Sequence, residues 1–168
     1  MLYHFSEDPA IRRFHPRPAA AIEGNPSVVW AIDEEHAPHY FFPRACPRVV
    51  CWCEETTSQE DREELFALTS ATKLAAVESA WLERIRQTVL YRYTMPDQAF
   101  SLHNAHAGYY VSYETVTPLL VEPVGDLLER LTASGLELRL TPSLVPLKNR
   151  IMGSTLGFSI IRFANAVQ

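Results

Sequence analysis

The second half of this chain carries six short β-prone runs, and their close spacing limits the folds open to it. They are Val89 to Thr94, Phe100 to His103, Gly108 to Tyr113, Pro118 to Val124, Leu136 to Leu140 and Leu156 to Phe163. Parallel neighbours need a crossover of about a dozen residues or more. Most of the gaps here are shorter than that, so a regular alternation of strands and helices is excluded and antiparallel pairing is expected. One helix interrupts the series between Val124 and Ser134, with Leu127, Leu128 and Leu131 on one face and Gly135 as the stop.

The first half adds helices. Leu2 to Phe5 reads as an opening strand, after which Ser6-Glu7-Asp8-Pro9 has the cap, early acids and first-turn proline of a short helix. Pro16, Pro18, Gly24 and Pro26 then punctuate a loop reaching Ser27. Val28 to Ile32 reads as a buried strand, Glu34 to Phe42 as a helical turn and Arg48 to Cys53 as the next strand. Thr57-Ser58-Gln59-Glu60 offers a capping box that opens the longest helical region. Leu74, Val77, Trp81 and Ile85 extend it as one apolar stripe, with a break near Ser70 to Thr72. The fold class that follows is α+β, a mixed and mainly antiparallel sheet with flanking helices. At 168 residues and 47% hydrophobic content, one globular domain over 1–168 is expected.

A formal net charge of -5 excludes the overall basic field that drives non-specific nucleic-acid binding. Arg12, Arg13, Arg17, Arg44 and Arg48 would have to gather on one side for a nucleic acid to be a partner. Met1-Leu2-Tyr3-His4-Phe5 lacks the order of a signal peptide, and no apolar run approaches the ~20 residues that span a bilayer. The expectation is a cytoplasmic protein with no membrane partner. Cys46, Cys51 and Cys53 form an odd cluster that fits reduced thiols.

Several constellations bear on chemistry. Four of the six histidines fall in two His-x-x-His pairs, His36 with His39 and His103 with His106. The carboxylates around them have no diagnostic spacing and the cysteines miss the Cys-x-x-Cys pattern, so no metal is expected. A metal-dependent hydrolase stands as a third reading. Cys46, between Arg44 and Arg48, is the better placed of the thiols for a nucleophile. In Tyr109 to Glu114, strand alternation places Tyr110, Ser112 and Glu114 on one side. A carboxylate beside hydroxyl groups at a strand end can orient a ribose or stabilise a developing cation. Arg162 shares its expected strand face with Phe158 and Ile160, and such an arginine should find a carboxylate or ligand.

Three of these pieces stand in an order that resembles ADP-ribosyltransferase-like domains: Leu2-Tyr3-His4 in the opening strand, Val28 to Ile32 running into an aromatic turn, and the late Glu-x-Val-x-Pro of Glu114 to Pro118. Ala37-Pro38-His39-Tyr40-Phe41-Phe42-Pro43-Arg44, with Pro47, is similar to a stretch of the DarT-like DNA ADP-ribosyltransferases. The whole chain resembles an uncharacterised bacterial domain family. The resemblance implies a split β-core that clamps a nicotinamide dinucleotide, NAD, as substrate, with an unknown acceptor. It assigns His4 to a ribose or the amide, Trp30 or Tyr40 to stacking on nicotinamide, Arg44 to a phosphate, and Glu114, with Ser112 beside it, to the oxocarbenium-like centre. The chain departs from the DarT pattern at Phe5, where a threonine is expected and Ser6 follows, and at Trp30, which stacks but carries no hydroxyl. The alternative is a non-catalytic module binding a small ligand or nucleotide. The geometry that decides between these is whether His4, Trp30, Tyr40 and Glu114 line one concave pocket.

Overall fold

The computed structural model describes residues 1–167. Its strands, in chain order, are β1 (Leu2–Ser6), β2 (Arg17–Pro18), β3 (Ser27–Asp33), β4 (Arg48–Trp52), β5 (Lys73–Glu78), β6 (Tyr91–Met95), β7 (Ser101–Asn104), β8 (Tyr109–Ser112), β9 (Leu120–Pro123), β10 (Glu137–Thr141) and β11 (Gly157–Ile161). The α-helices are α1 (Gln59–Phe66), α2 (Leu82–Gln87), α3 (Leu127–Ala133) and α4 (Val145–Met152). The protein is thus α+β. Its backbone gathers into two compact units, each assembled from two separate stretches of sequence: Met1–Tyr40 with Val89–Gly125, and Phe41–Thr88 with the chain from Asp126 onward.

The first unit is a sheet of order β7-β8-β3-β1-β6-β9 with β2 on β3, antiparallel throughout. Register fixes its two faces. Leu2 lies opposite Met95, Ala31 opposite Tyr110 and Val29 opposite Ser112, so alternate residues of these strands share one side. On that side Leu2, Val29, Ala31, Tyr93 and Met95 pack with Phe14 and Val116, which exchange two backbone hydrogen bonds of 2.8 and 2.9 Å. The helix expected after Ser6 is absent. Ser6 Oγ accepts the Asp8 N–H at 3.1 Å and Asp8 Oδ1 the Ala10 N–H at 2.8 Å, closing turns that compete with a helix. The Tyr93 hydroxyl, buried beneath, donates to the Asp8 carbonyl at 2.6 Å and accepts the Ile11 N–H at 3.2 Å, which fixes the loop.

The second unit is a sheet of order β10-β5-β4-β11, in which only the β10–β5 pair is parallel. Val49, Cys51, Leu74 and Ala76 on one face meet Phe66 of α1, Ile151 of α4 and Leu144 just before it. The apolar stripe from Leu74 to Ile85 is therefore not one helix: Leu74 and Val77 are in β5, and only Ile85 belongs to α2. β5 is hydrogen-bonded on both edges and buried from Leu74 to Glu78, a central position that overrides the helical spacing. Val145–Met152 forms a helix with no counterpart among the expected elements. Arg162 lies past the end of β11, exposed and left-handed at φ 54, and so shares no strand face.

The helix start near residue 58 is real but offset by one from the expected box. Ser58 is the N-cap, its hydroxyl accepting the Asp61 N–H at 3.2 Å. Buried Asp61 also accepts the Thr155 N–H at 2.7 Å, the Thr155 hydroxyl at 2.6 Å and an Arg150 N–H at 2.6 Å. These donors, Thr155 first, hold its carboxyl well below the usual carboxylate range. A group titrating lower when folded than when unfolded contributes fully above the unfolded value of about 3.9, and the contribution is lost as pH falls from there towards the folded value. Asp61→Asn should therefore lower the thermal midpoint at pH 7 and flatten its decline below pH ~4. Calorimetric scans of both proteins from pH 7 to pH 3 check this, and parallel curves would remove Asp61 as the origin of acid sensitivity.

Candidate functional site

β1 stays paired with β6 for five residues, from Leu2↔Met95 to Ser6↔Tyr91, but with β3 for only two, Leu2↔Asp33 and Tyr3↔Ile32. Past Tyr3 the ladder opens. There the imidazole of His4 takes over, its Nδ1 lying 2.8 Å from the Trp30 carbonyl oxygen. A carbonyl only accepts, so at this contact the Nδ1 carries the proton. A side chain thus stands in for a ladder hydrogen bond at the point where β1 stops pairing with β3.

On one side of this opening runs a chain of rings. Phe5 and Tyr40 stack at 6.3 Å and 8°. Tyr40 and Tyr109 meet at 6.4 Å with their hydroxyls 3.1 Å apart, Tyr109 and Trp30 at 5.7 Å, and Trp30 and His103 at 5.3 Å. Four of these rings are half-buried and His103 is exposed. Such a wall offers aromatic faces and edges to a planar ligand. Tyr40 reaches it from the end of the 3-10 helix Ala37–Tyr40, and Tyr109 from the start of β8.

The other side holds His4, whose ring is 4.6 Å from that of Phe14. Strand alternation sets Ser112 on this side too, opposite Val29 and buried. β8 ends at Ser112, so Glu114 lies two residues beyond the strand, exposed, its backbone N–H donating to Ser112 Oγ at 3.3 Å. The segment is tied to His4 through Phe14, which pairs with Val116, and by His15 Nδ1, 3.1 Å from Thr115 Oγ1. The fold thus brings Trp30 and Tyr40 together on one face of the sheet and His4 and Ser112 together on the opposite face, so register does not set them along one concave face; the two sets meet where His4 Nδ1 reaches the Trp30 carbonyl. Arg44 belongs to the second unit, where it is exposed. Phe5 and Tyr109 were not expected as site residues. Phe5 stands in the sequence only as a missing threonine, and nothing local to Tyr109 says that Tyr40, 69 residues away, will share its hydroxyl.

Among the described residues, no group of three or more His, Cys, Asp or Glu side chains is arranged to hold a metal ion, and no helix is long and apolar enough to cross a membrane. Residues 3–166 match the model of a protein family. The chain belongs to the family of unknown function DUF6886. No curated protein and no solved structure matches it. DUF6886 carries no activity in its description, so any functional reading rests on the site.

The thiols do not supply a nucleophile of the expected kind. Cys46 is fully buried, and burial pushes its thiol up to about 12 despite the Arg48 guanidinium, which donates to the Cys46 carbonyl at 2.9 Å. Burial has the same effect on Cys51, also raised to about 12. Half-buried Cys53 is the accessible thiol. In the native protein at pH 7, an aromatic disulfide reagent should therefore release one equivalent of thiol promptly and two more only after denaturation. Prompt release of two or more would contradict the burial described.

Proposed function

We propose that the first unit binds a nicotinamide dinucleotide and acts as an ADP-ribosyltransferase-like domain towards an acceptor yet to be identified. The observation that carries this reading is the parting of β1 from β3 at His4, with a ring wall on one side and the Ser112–Glu114 segment on the other. A dinucleotide has planar rings that need stacking and ribose hydroxyls that need short-range polar partners, and the opening is flanked by one set of each. Trp30 and Tyr40 would stack on the nicotinamide, and His4 and Ser112 would orient a ribose. Glu114 would stabilise the oxocarbenium-like centre as nicotinamide departs. We place this activity in the cytoplasm, where free thiols such as Cys46, Cys51 and Cys53 stay reduced.

Binding without turnover is the second reading, and the exposure of Glu114 favours it. A carboxylate stabilises a developing cation far better in a water-excluded site than in solvent. Two measurements separate the possibilities. Calorimetric titration with NAD should show saturable binding that weakens in Trp30→Ala. Release of free nicotinamide should then fall about a hundredfold or more in Glu114→Gln while the NAD affinity stays near that of the wild type. Binding without nicotinamide release would leave the non-catalytic module, and no binding would end the transferase reading and the module's assignment to NAD.

A further inference from the structure

Behind the ring wall lies a knot of polar contacts at the end of β3. Asp33 Oδ1 accepts twice from His36, from its backbone N–H at 2.9 Å and from its ring Nδ1 at 2.7 Å. The Asp33 N–H in turn donates to the Gly108 carbonyl at 3.0 Å, tying β3 to the turn between β7 and β8. Gly108 is left-handed at φ +67, and a Cβ there would lie 2.3 Å from His36 Nδ1 and 2.7 Å from each Asp33 carboxylate oxygen. Only glycine lets the two loops approach this closely. The ring of buried His36 meets that of fully buried His39 edge-on at 5.3 Å, and the His36 carbonyl accepts the His39 N–H at 3.0 Å, which starts the 3-10 helix.

Two strands of chain leave this knot, and each carries a tyrosine of the wall. Tyr109 follows Gly108 directly, and Tyr40 follows His39. Their hydroxyls then meet at 3.1 Å, and Tyr109 sets its ring against Trp30. We infer that Asp33, His36 and Gly108 are positioning residues, which fix Tyr40 and Tyr109, and through Tyr109 the Trp30 face, in the geometry that receives a planar ligand ring. The inference rests on the reading of the ring wall as a ligand surface. The charge-assisted Asp33–His36 contact sets the direction in which the 3-10 helix leaves β3, and the bare Gly108 sets how far the β7–β8 turn may approach it. A wall assembled from two loops stacks well only if both are held, and the knot ties them together behind the Tyr40–Tyr109 contact.

The test uses the full chain with Trp52→Phe and Trp81→Phe as background, so that Trp30 alone emits. Removing the clasp in His36→Ala should shift the Trp30 emission and weaken NAD binding by about tenfold, the worth of one well-placed ring contact. His36→Asn, whose side-chain amide can donate in place of Nδ1, should restore both. Gly108→Ala, which pushes the loops apart instead of releasing them, should act in the same direction as His36→Ala. Ile151→Val, in the core of the second unit, should lower the thermal midpoint and leave emission and affinity unchanged, which separates positioning from general destabilisation. If His36→Ala does not fold, Asp33→Asn keeps an acceptor oxygen without the charge and should give a smaller effect of the same sign. A folded His36→Ala with wild-type emission and affinity would overturn the inference, as would a stable His36→Asn that rescues neither. Should the wild-type protein not bind NAD, the functional reading falls by itself, and the Trp30 emission of the same variants still decides whether the knot sets the wall.

Discussion

The contact between His4 Nδ1 and the Trp30 carbonyl is the interaction on which the first unit turns. In an intact ladder that carbonyl would accept from the neighbouring strand, and left bare in a half-buried position it would cost on the order of 1–3 kcal/mol. The imidazole meets that demand from a side chain, which lets β1 keep its five-residue pairing with β6 while giving up β3 after two. The opening in the sheet is therefore stabilised and not simply tolerated. Its position sets what flanks it: Phe5, one residue further along β1, on the side of the rings, and Phe14 against His4 on the other.

The second unit shows the opposite use of polar groups. Its charged clusters sit at the ends of elements and satisfy one another: Asp61 between Ser58, Arg150 and Thr155, and buried Glu78 accepting the Val167 N–H at 2.9 Å. The Arg48 guanidinium lies over the Phe42 ring at 5.2 Å. These arrangements close a small sheet whose central strands are buried, β4 along its whole length and β5 from Leu74 to Glu78. A unit built in this way closes its sheet, while His4 and Ser112 of the first unit lie where β1 parts from β3.

The sequence made the α+β class and nearly every strand legible, because period-two runs bounded by proline and glycine survive into the structure with ends shifted by a residue or two. It misled where a local signal had a tertiary rival. Ser6 to Pro9 reads as a helix start, but the same side chains close turns over Tyr93. Leu74 to Ile85 reads as a helix stripe, but a strand paired on both edges buries Leu74 and Val77 whatever their spacing. The site was legible in part for a related reason. His4, Trp30, Tyr40 and Ser112 could be named from composition and resemblance, whereas the side of the sheet each would face depends on register, which single strands do not reveal. Phe5 and Tyr109 became visible only once β1, β3 and β8 were laid side by side.

Electrostatics leaves the binding proposed for the first unit mainly to geometry. On the ring side of the first unit, the Arg92 guanidinium sits over Tyr3 at 4.8 Å and is paired with Glu122 at 3.0 Å, so its charge is already answered. Burial raises the Tyr3 phenol, with Glu34 adding to the effect, so no phenolate forms there near neutral pH. The chain as a whole carries a formal charge of -5, which repels a diphosphate at long range where it acts at all. With the Arg92 charge answered and the overall charge negative, the binding proposed for this wall would rest on the fit of ring to ring and of short-range donors to acceptors. Fit of that kind falls away steeply with displacement, which is why a clasp at Asp33 and His36, set behind the wall, bears on what the wall can bind.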